Sequence, residues 1–150
     1  MNGYLNNQQA TNMTKREHNW LHSGDVAYYD EEQRFYIVGR VKELIKVKGF
    51  QVAPAELEDL IRSHTDVRDV AVIGIPDEYR GEVPLAFIVT QEGNVNKKCL
   101  IERVHEFVNE NLSEYKQLRG GIQIVENIPK SVSGKILRNE LKALFTERTK

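Results

Sequence analysis

Three places in this 150-residue sequence set ionisable side chains beside glycine: Ser23-Gly24-Asp25, the run of Lys42, Lys46 and Lys48 ahead of Gly49, and Ser133-Gly134-Lys135. A carboxylate directly after a glycine can accept two hydrogen bonds from vicinal hydroxyls, because the glycine lets the backbone come close. Lys46 and Lys48 are two apart, so they share a face if Leu44 to Val47 is a strand, and a basic stripe results. Gly134 and Ser133 make the loop of Lys135 adaptable, and the long aliphatic stem gives its ammonium reach. Each group also has a plainer reading. Asp25 is then a turn aspartate, Arg40 a surface salt-bridge partner, Lys42, Lys46 and Lys48 a solvated strand face, and Lys135 a solvated lysine at the start of a helix.

General catalytic patterns are absent from the sequence. There is no His-Glu-x-x-His, Cys-His metal cluster, Gly-x-Ser-x-Gly or Gly-x-Gly-x-x-Gly, and no metal site is expected. Gly134-Lys135 superficially suggests a phosphate-binding P-loop, but Pro129 stands where that loop needs glycine and Ile136 where Ser or Thr should bind magnesium. His18, His22, His64 and His105 are scattered without ligand spacing. With Lys+Arg 21 against Asp+Glu 22 the net charge is -1, so no global field draws the chain to nucleic acid or an acidic membrane. Cys99 is the only cysteine, which excludes an internal disulfide and fits a reducing compartment. No stretch approaches the ~20 apolar residues of a membrane span. The closing Glu147-Arg148-Thr149-Lys150 is not a Ser-Lys-Leu type address, which leaves a cytoplasmic location as the default expectation.

The elements that must position these groups follow from periodicity. Tyr4 to Asn19 is polar and reads as a connecting segment. Val26 to Tyr29 and Arg34 to Val38 read as a hairpin, marginal without a partner sheet. Leu44 to Val47 is a short strand, after which Gly49 allows a tight turn. Pro54 opens a helix to Ser63, with Glu56 and Glu58 near its positive end and Leu57, Leu60 and Ile61 on one face. Val70 to Ile75 and Leu85 to Thr90, bounded by Pro76, Gly81 and Gly93, are nearly continuous apolar runs, expected in the middle of a sheet covered on both faces. Asn96 can cap a helix carrying Leu100, Ile101, Val104, Phe107 and Val108. Gly120-Gly121 precedes a strand from Ile122 to Val125, and a third helix carries Leu137, Leu141, Leu144 and Phe145. The fold class is α+β, a small central sheet with helices packed on it, preceded by a β-hairpin.

Three segments together carry a family resemblance: Trp20-Leu21-His22-Ser23-Gly24-Asp25, then GRVKELIKVKGFQVAPAELE from Gly39 to Glu58, then Pro129-Lys130-Ser131-Val132-Ser133-Gly134-Lys135-Ile136-Leu137-Arg138. In order and spacing they resemble late motifs of the adenylate-forming enzymes, the family of acyl-CoA synthetases, 4-coumarate-CoA ligases and beetle luciferases. Gly3-Tyr4-Leu5-Asn6-Asn7 resembles the segment before the first motif, so the resemblance runs over essentially the whole chain.

The resemblance implies a C-terminal lid of an acyl-CoA or aryl-CoA ligase, with residues 1–39 the end of a larger AMP-binding domain, 40–43 a hinge and 44–150 the lid. The implied reaction has two steps. A carboxylic acid attacks the α-phosphate of ATP to give an acyl-adenylate and pyrophosphate, and the thiol of coenzyme A then displaces AMP. Lys135 would stabilise charge on the phosphoryl oxygens in the first step. Lys42 sits on the hinge, Lys42 and Lys46 approach the acyl-adenylate when the lid turns, Lys48 and Gly49 meet coenzyme A, and Gln51 contacts AMP. Asp25 would bind the ribose of AMP, with Arg40 beside it. Mg2+ would accompany ATP rather than bind this chain. The partners implied are the carboxylic acid, its acyl-adenylate and a large N-terminal domain.

Asn19, Ser23 and Gly39 depart from the family pattern of Gly, Thr and Asp, and none is a proposed catalytic side chain. The family's phosphate loop and acid pocket have no counterpart here, so the chain alone is expected to be an incomplete enzyme. Two other readings stay open: a stand-alone binding or regulatory module, and the lid of a luciferase-like monooxygenase, suggested by Tyr115-Lys116-Gln117-Leu118-Arg119-Gly120-Gly121.

Overall fold

The computed structural model describes residues 1–15, 18, 20–91 and 96–148, the last two by backbone only. Asn19, Gly93 and the terminal pair 149–150 lie outside the described residues. The chain forms two compact units, Met1–Lys42 and Glu43–Lys150. Among the described residues no helix is long and apolar enough to cross a membrane.

The first unit holds helix α1 (Gln8–Thr14) and the antiparallel pair β1 (Asp25–Tyr29) and β2 (Phe35–Arg40). The helix corrects the expectation of a plain connecting segment there. It has no apolar period because local side-chain bonds hold it instead. Asn7 Oδ1 accepts from Ala10 N at 2.9 Å, and Thr11 Oγ1 accepts from Tyr4 N and donates to Asn7 O, each at 2.9 Å. The hairpin is where the alternation of β-branched and aromatic residues placed it. Its loop closes on Asp30, whose carboxylate accepts from Arg34 N at 2.9 Å, Arg34 Nε at 2.8 Å and Tyr36 Oη at 2.8 Å. Those donors, the Arg34 backbone N–H first, hold the Asp30 carboxyl below its ordinary pKa. Tyr28 stacks on Tyr36 at 5.0 Å, yet Tyr29, Phe35 and Ile37 stay 70%, 77% and 72% exposed.

The second unit is built on one sheet with strand order β4-β3-β6-β5, β7 lying beside β6. Its strands are β3 (Ile45–Val47), β4 (Phe50–Val52), β5 (Val67–Asp77), β6 (Gly81–Thr90) and β7 (Ile122–Ile124). All neighbours are antiparallel except β6 and β7. Helices α2 (Pro54–Arg62), α3 (Lys97–Asn111) and α4 (Arg138–Arg148) complete it. The α+β architecture is the one expected, and Pro54 at the first turn of α2 and Asn96 capping α3 take their expected places.

Alternate residues of β5 and β6 go to opposite faces. Val70, Val72, Ala86 and Ile88 pack with Leu57 and Ile61 of α2 and Leu100, Val104 and Val108 of α3. Ala71, Ile73, Leu85, Phe87 and Val89 pack with Ile128 and with Leu141 of α4. Burial on both faces is why these runs read as continuously apolar. Two details differ from expectation: of the two strands β5 lies at the edge and only β6 is internal, and Pro76 lies inside β5 rather than bounding it. Pro84 O accepts from Gly120 N at 2.9 Å, so the Pro84 nitrogen faces the same side, in the gap between the β3 pairing at Gly81 and the β7 pairing from Ala86. No ladder donor is needed there. Two residues along the register, Pro76 turns its nitrogen to the free edge of β5. At Gly120 a Cβ would lie 2.8 Å from Pro84 O, so only glycine allows this approach. The strand β4 was not expected; Gln51 in its centre interrupts the apolar signal of a very short strand.

Phe87, fully buried in the α4-facing core, is expected to cost about 3–5 kcal/mol when cut to alanine, measured by urea denaturation. Amide exchange should separate the units: protons of the exposed hairpin, residues 26–38, should exchange at least about 100-fold faster than those of residues 85–90.

Candidate functional site

In the first unit, Asp25 opens β1 directly opposite Arg40 at the end of β2, and the two form an ion pair, Nε to Oδ1 at 3.2 Å. The sequence kept them fifteen positions apart; the hairpin register joins them. Asp25 is thus a strand-end residue, not a turn aspartate, its backbone N–H bonded to Ser23 Oγ at 3.2 Å and Gly24 O accepting from Val41 N at 2.9 Å. The pair is solvent-accessible, so it adds little stability and its groups remain available. Lys42 is exposed in the 3-10 turn Val41–Glu43, where one unit gives way to the other.

In the second unit, Lys46 and Gln51 are direct cross-strand partners on the β3–β4 hairpin, both exposed, while Ile45, Val47 and Val52 point into the core. Lys46 N donates to Glu82 Oε2 at 2.9 Å, an extra bond where β3 meets β6 through the single pair Val47↔Gly81. The expected shared strand face for Lys46 and Lys48 is corrected. Lys48 leaves the strand and forms the two-residue turn with Gly49, at φ 48° and 85°. Positive φ at both positions gives the twist that a tight hairpin needs, which breaks the stripe.

That turn borders a groove of about 180 Å³ lined by Val47, Lys48, Phe50, Arg80, Glu114, Tyr115 and Arg119. Phe50 stacks on Tyr115 at 4.6 Å, Lys48 N donates to Arg80 O at 2.8 Å, and Arg119 is held by Glu114 at 2.8 Å. Aromatic faces flanked by cations suit a flat heteroaromatic ring bearing phosphates. Phe50, Arg80, Tyr115 and Arg119 went unassigned from sequence because they are brought together from three distant stretches.

Lys135 is exposed on a loop before α4, not on the helix itself, which begins at Arg138. The loop is a closed turn: Ser131 N donates to Lys135 O at 2.8 Å, Lys135 N to Ser131 Oγ at 3.1 Å, Gly134 N to Ser131 O at 2.9 Å and Leu137 N to Pro129 O at 2.9 Å. Lys130 pairs with Asp69 of β5 at 2.5 Å. Beyond the loop, Arg138 meets Glu58, which the sequence placed at the positive end of α2 but which lies 5% exposed beneath the guanidinium. Burial alone disfavours the charged guanidinium; hydrogen bonds and charge from Glu58, then Glu43, outweigh it and raise the Arg138 pKa. Lys46 and Lys135 ride on separate elements, β3 and the loop before α4. Among the described residues no group of three or more His, Cys, Asp or Glu could hold a metal ion.

The sheet, covered on both faces by helices, has the α+β architecture of the C-terminal domains of adenylate-forming enzymes. The chain belongs to the AMP-binding enzyme C-terminal domain family, whose pattern matches residues 56–135. It is 41% identical over 150 residues to luciferin 4-monooxygenase of Photinus pyralis, covering all of this chain and 27% of that protein. It is 48% identical over 150 residues to 4-coumarate–CoA ligase-like 9 of Oryza sativa subsp. japonica, covering 26% of that protein. The o-succinylbenzoate CoA synthetase MenE of Bacillus subtilis, solved with the acyl-adenylate intermediate OSB-AMP, superposes with a TM-score of 0.83 at 30% identity, over 95% of this chain and 28% of that one. The chain thus spans about a quarter of the length of its relatives.

Gly49 has nothing within 4 Å of a built Cβ, so Gly49→Ala tests backbone strain alone and is expected to cost about 1–2 kcal/mol by urea denaturation. Lys48→Asn, a residue at home in this turn, should instead stabilise by a few tenths of a kcal/mol.

Proposed function

We propose that this chain is the lid of a two-step acid-CoA ligase and works only against a large AMP-binding domain. Residues 1–39 are the end of that domain, 40–43 the hinge and 44–150 the lid. The observation that carries the reading is Lys135, held exposed at the closing end of a turn made by its own backbone bonds, in a chain of this family.

In the first step a carboxylate oxygen bonds to the α-phosphorus of ATP and the bond to pyrophosphate breaks. Lys135 neutralises charge growing on the phosphoryl oxygens. Asp25 accepts from the ribose hydroxyls, Arg40 supports the nucleotide beside it, and Mg2+ comes with the ATP phosphates. In the second step the thiol sulfur of coenzyme A bonds to the acyl carbon, AMP leaves with the oxygen, and the thiol proton is lost. The lid turns at Lys42 between the steps, bringing Lys46 to the acyl-adenylate, Gln51 to its AMP part, and Lys48 and Gly49 to coenzyme A. The groove beside them, with Phe50 and Tyr115 stacked between Lys48, Arg80 and Arg119, fits the nucleotide end of that thiol.

The test is acid-dependent pyrophosphate release by the chain alone and mixed with a large-domain fragment from a related ligase. Activity is expected only in the mixture, with Lys135→Ala reducing it roughly 100-fold or more. Robust adenylation by the chain alone sinks the incomplete-lid reading; no activity in the mixture favours a binding module. The 41% identity to a luciferin 4-monooxygenase favours a second reading, in which the same lid serves an oxygenase. Light emission from a mixture containing luciferin distinguishes it.

A further inference from the structure

We propose that Arg138 is a positioning residue that sets the place of Lys135 and ties it to Glu43 at the end of the hinge; the proposal rests on the ligase-lid reading. One guanidinium makes four bonds to three separate places. Arg138 Nη1 donates to Glu58 Oε1 at 2.6 Å and to Val72 O at 3.0 Å, Nη2 to Glu58 Oε2 at 3.3 Å, and Nε to Glu43 Oε2 at 3.0 Å. Glu58 is itself fixed, since its Oε1 also accepts from Val72 N at 2.8 Å. The fork is therefore clamped against α2 and β5 at once.

Stability alone is a poor reason for this arrangement. A buried ion pair gains little over apolar residues of the same volume, because both charges must be desolvated. What a bidentate pair supplies is a fixed geometry. Arg138 is three residues from Lys135, and the intervening backbone is locked: Leu137 N is bonded to Pro129 O and Ser131 N to Lys135 O. Such a turn moves as one piece, so the clamp on Arg138 decides where the Lys135 ammonium projects.

The fourth bond goes outward. The Glu43 side chain is 43% exposed against 18% for Arg138, and Glu43 directly follows Lys42 in the turn Val41–Glu43. Backbone rotation in that turn moves the Glu43 carboxylate, and the bond to Arg138 is then strained or released while Glu58 keeps its hold. Arg138 thus links the conformation of the hinge to the seat of the adenylation lysine.

The experiment uses the 150-residue chain with Glu43→Gln and Arg138→Lys, the second keeping the charge but losing the fork. Amide NMR signals of Gly134 and Lys135 are the structural readout, and pyrophosphate release in the mixture is the functional one. Both variants should keep a cooperative thermal transition, shift the Gly134 and Lys135 signals, and lower kcat roughly 10- to 100-fold with KM for ATP little changed. Unchanged loop signals in both variants overturn the proposal, as does an altered loop with wild-type kcat. If Arg138→Lys fails to fold, Glu43→Gln, on the solvent side of the network, decides by the same readouts. Lys135→Ala in the same mixture separates the two claims: full activity there refutes the ligase reading, while the loop signals still judge whether Arg138 positions Lys135.

Discussion

The β5–β6 ladder is buried on both faces, and the rest of the second unit is arranged around that constraint. A strand pair with apolar residues at successive positions cannot leave either face in water without exposing large hydrophobic area. Helices α2 and α3 cover one face and α4 the other. Once both faces are taken, exposed polar groups can be placed only at the sheet's ends and edges. The β3–β4 hairpin and the turn before α4 occupy those places, and they carry Lys46, Lys48, Gln51 and Lys135.

Small elements at the margin of a sheet are loose unless something holds them, and here each has its own anchor. The β3–β4 hairpin joins β6 through one residue pair, and the carboxylate of Glu82 adds a bond to the backbone of Lys46. The Lys135 turn is closed by its own backbone bonds and pinned by Lys130 to Asp69. Rigid supports under exposed lysines leave side-chain reach as the main freedom at each site.

The Glu58–Arg138 pair shows how a charged group becomes part of a core. Glu58 lies between Leu57 and Ile61 on a helix whose apolar face is buried, so its carboxylate has no route to water. An unpaired charge there would be prohibitive, and the guanidinium answers it with two parallel bonds while Val72 N supplies a third. The cost of desolvation is met locally, and the packing of α2, β5 and the start of α4 becomes a single rigid joint.

Much of this was legible in the sequence. The alternation in the first hairpin, the unbroken apolar runs of β5 and β6, and Pro54 and Asn96 at helix starts report local preferences that short peptides already express, while the motifs around Asp25, Lys46 and Lys135 stood out by their resemblance to a family. Three things were not legible, each because it depends on residues far apart in the chain. Pro76 read as a strand boundary, and only the register with β6 shows its nitrogen facing the free edge of β5. Glu58 read as a favourable charge at a helix end, since nothing local indicates that Arg138, eighty residues later, will lie over it. The groove of Phe50, Arg80, Tyr115 and Arg119 has no sequence signature, because stacking and charge convergence arise only when a hairpin turn, a strand-connecting loop and a 3-10 turn meet. The sequence by itself determined which residues could do chemistry and which local elements carry them. Tertiary packing decided which are held rigid and which are grouped, because burial and long-range pairing are properties of the assembled chain.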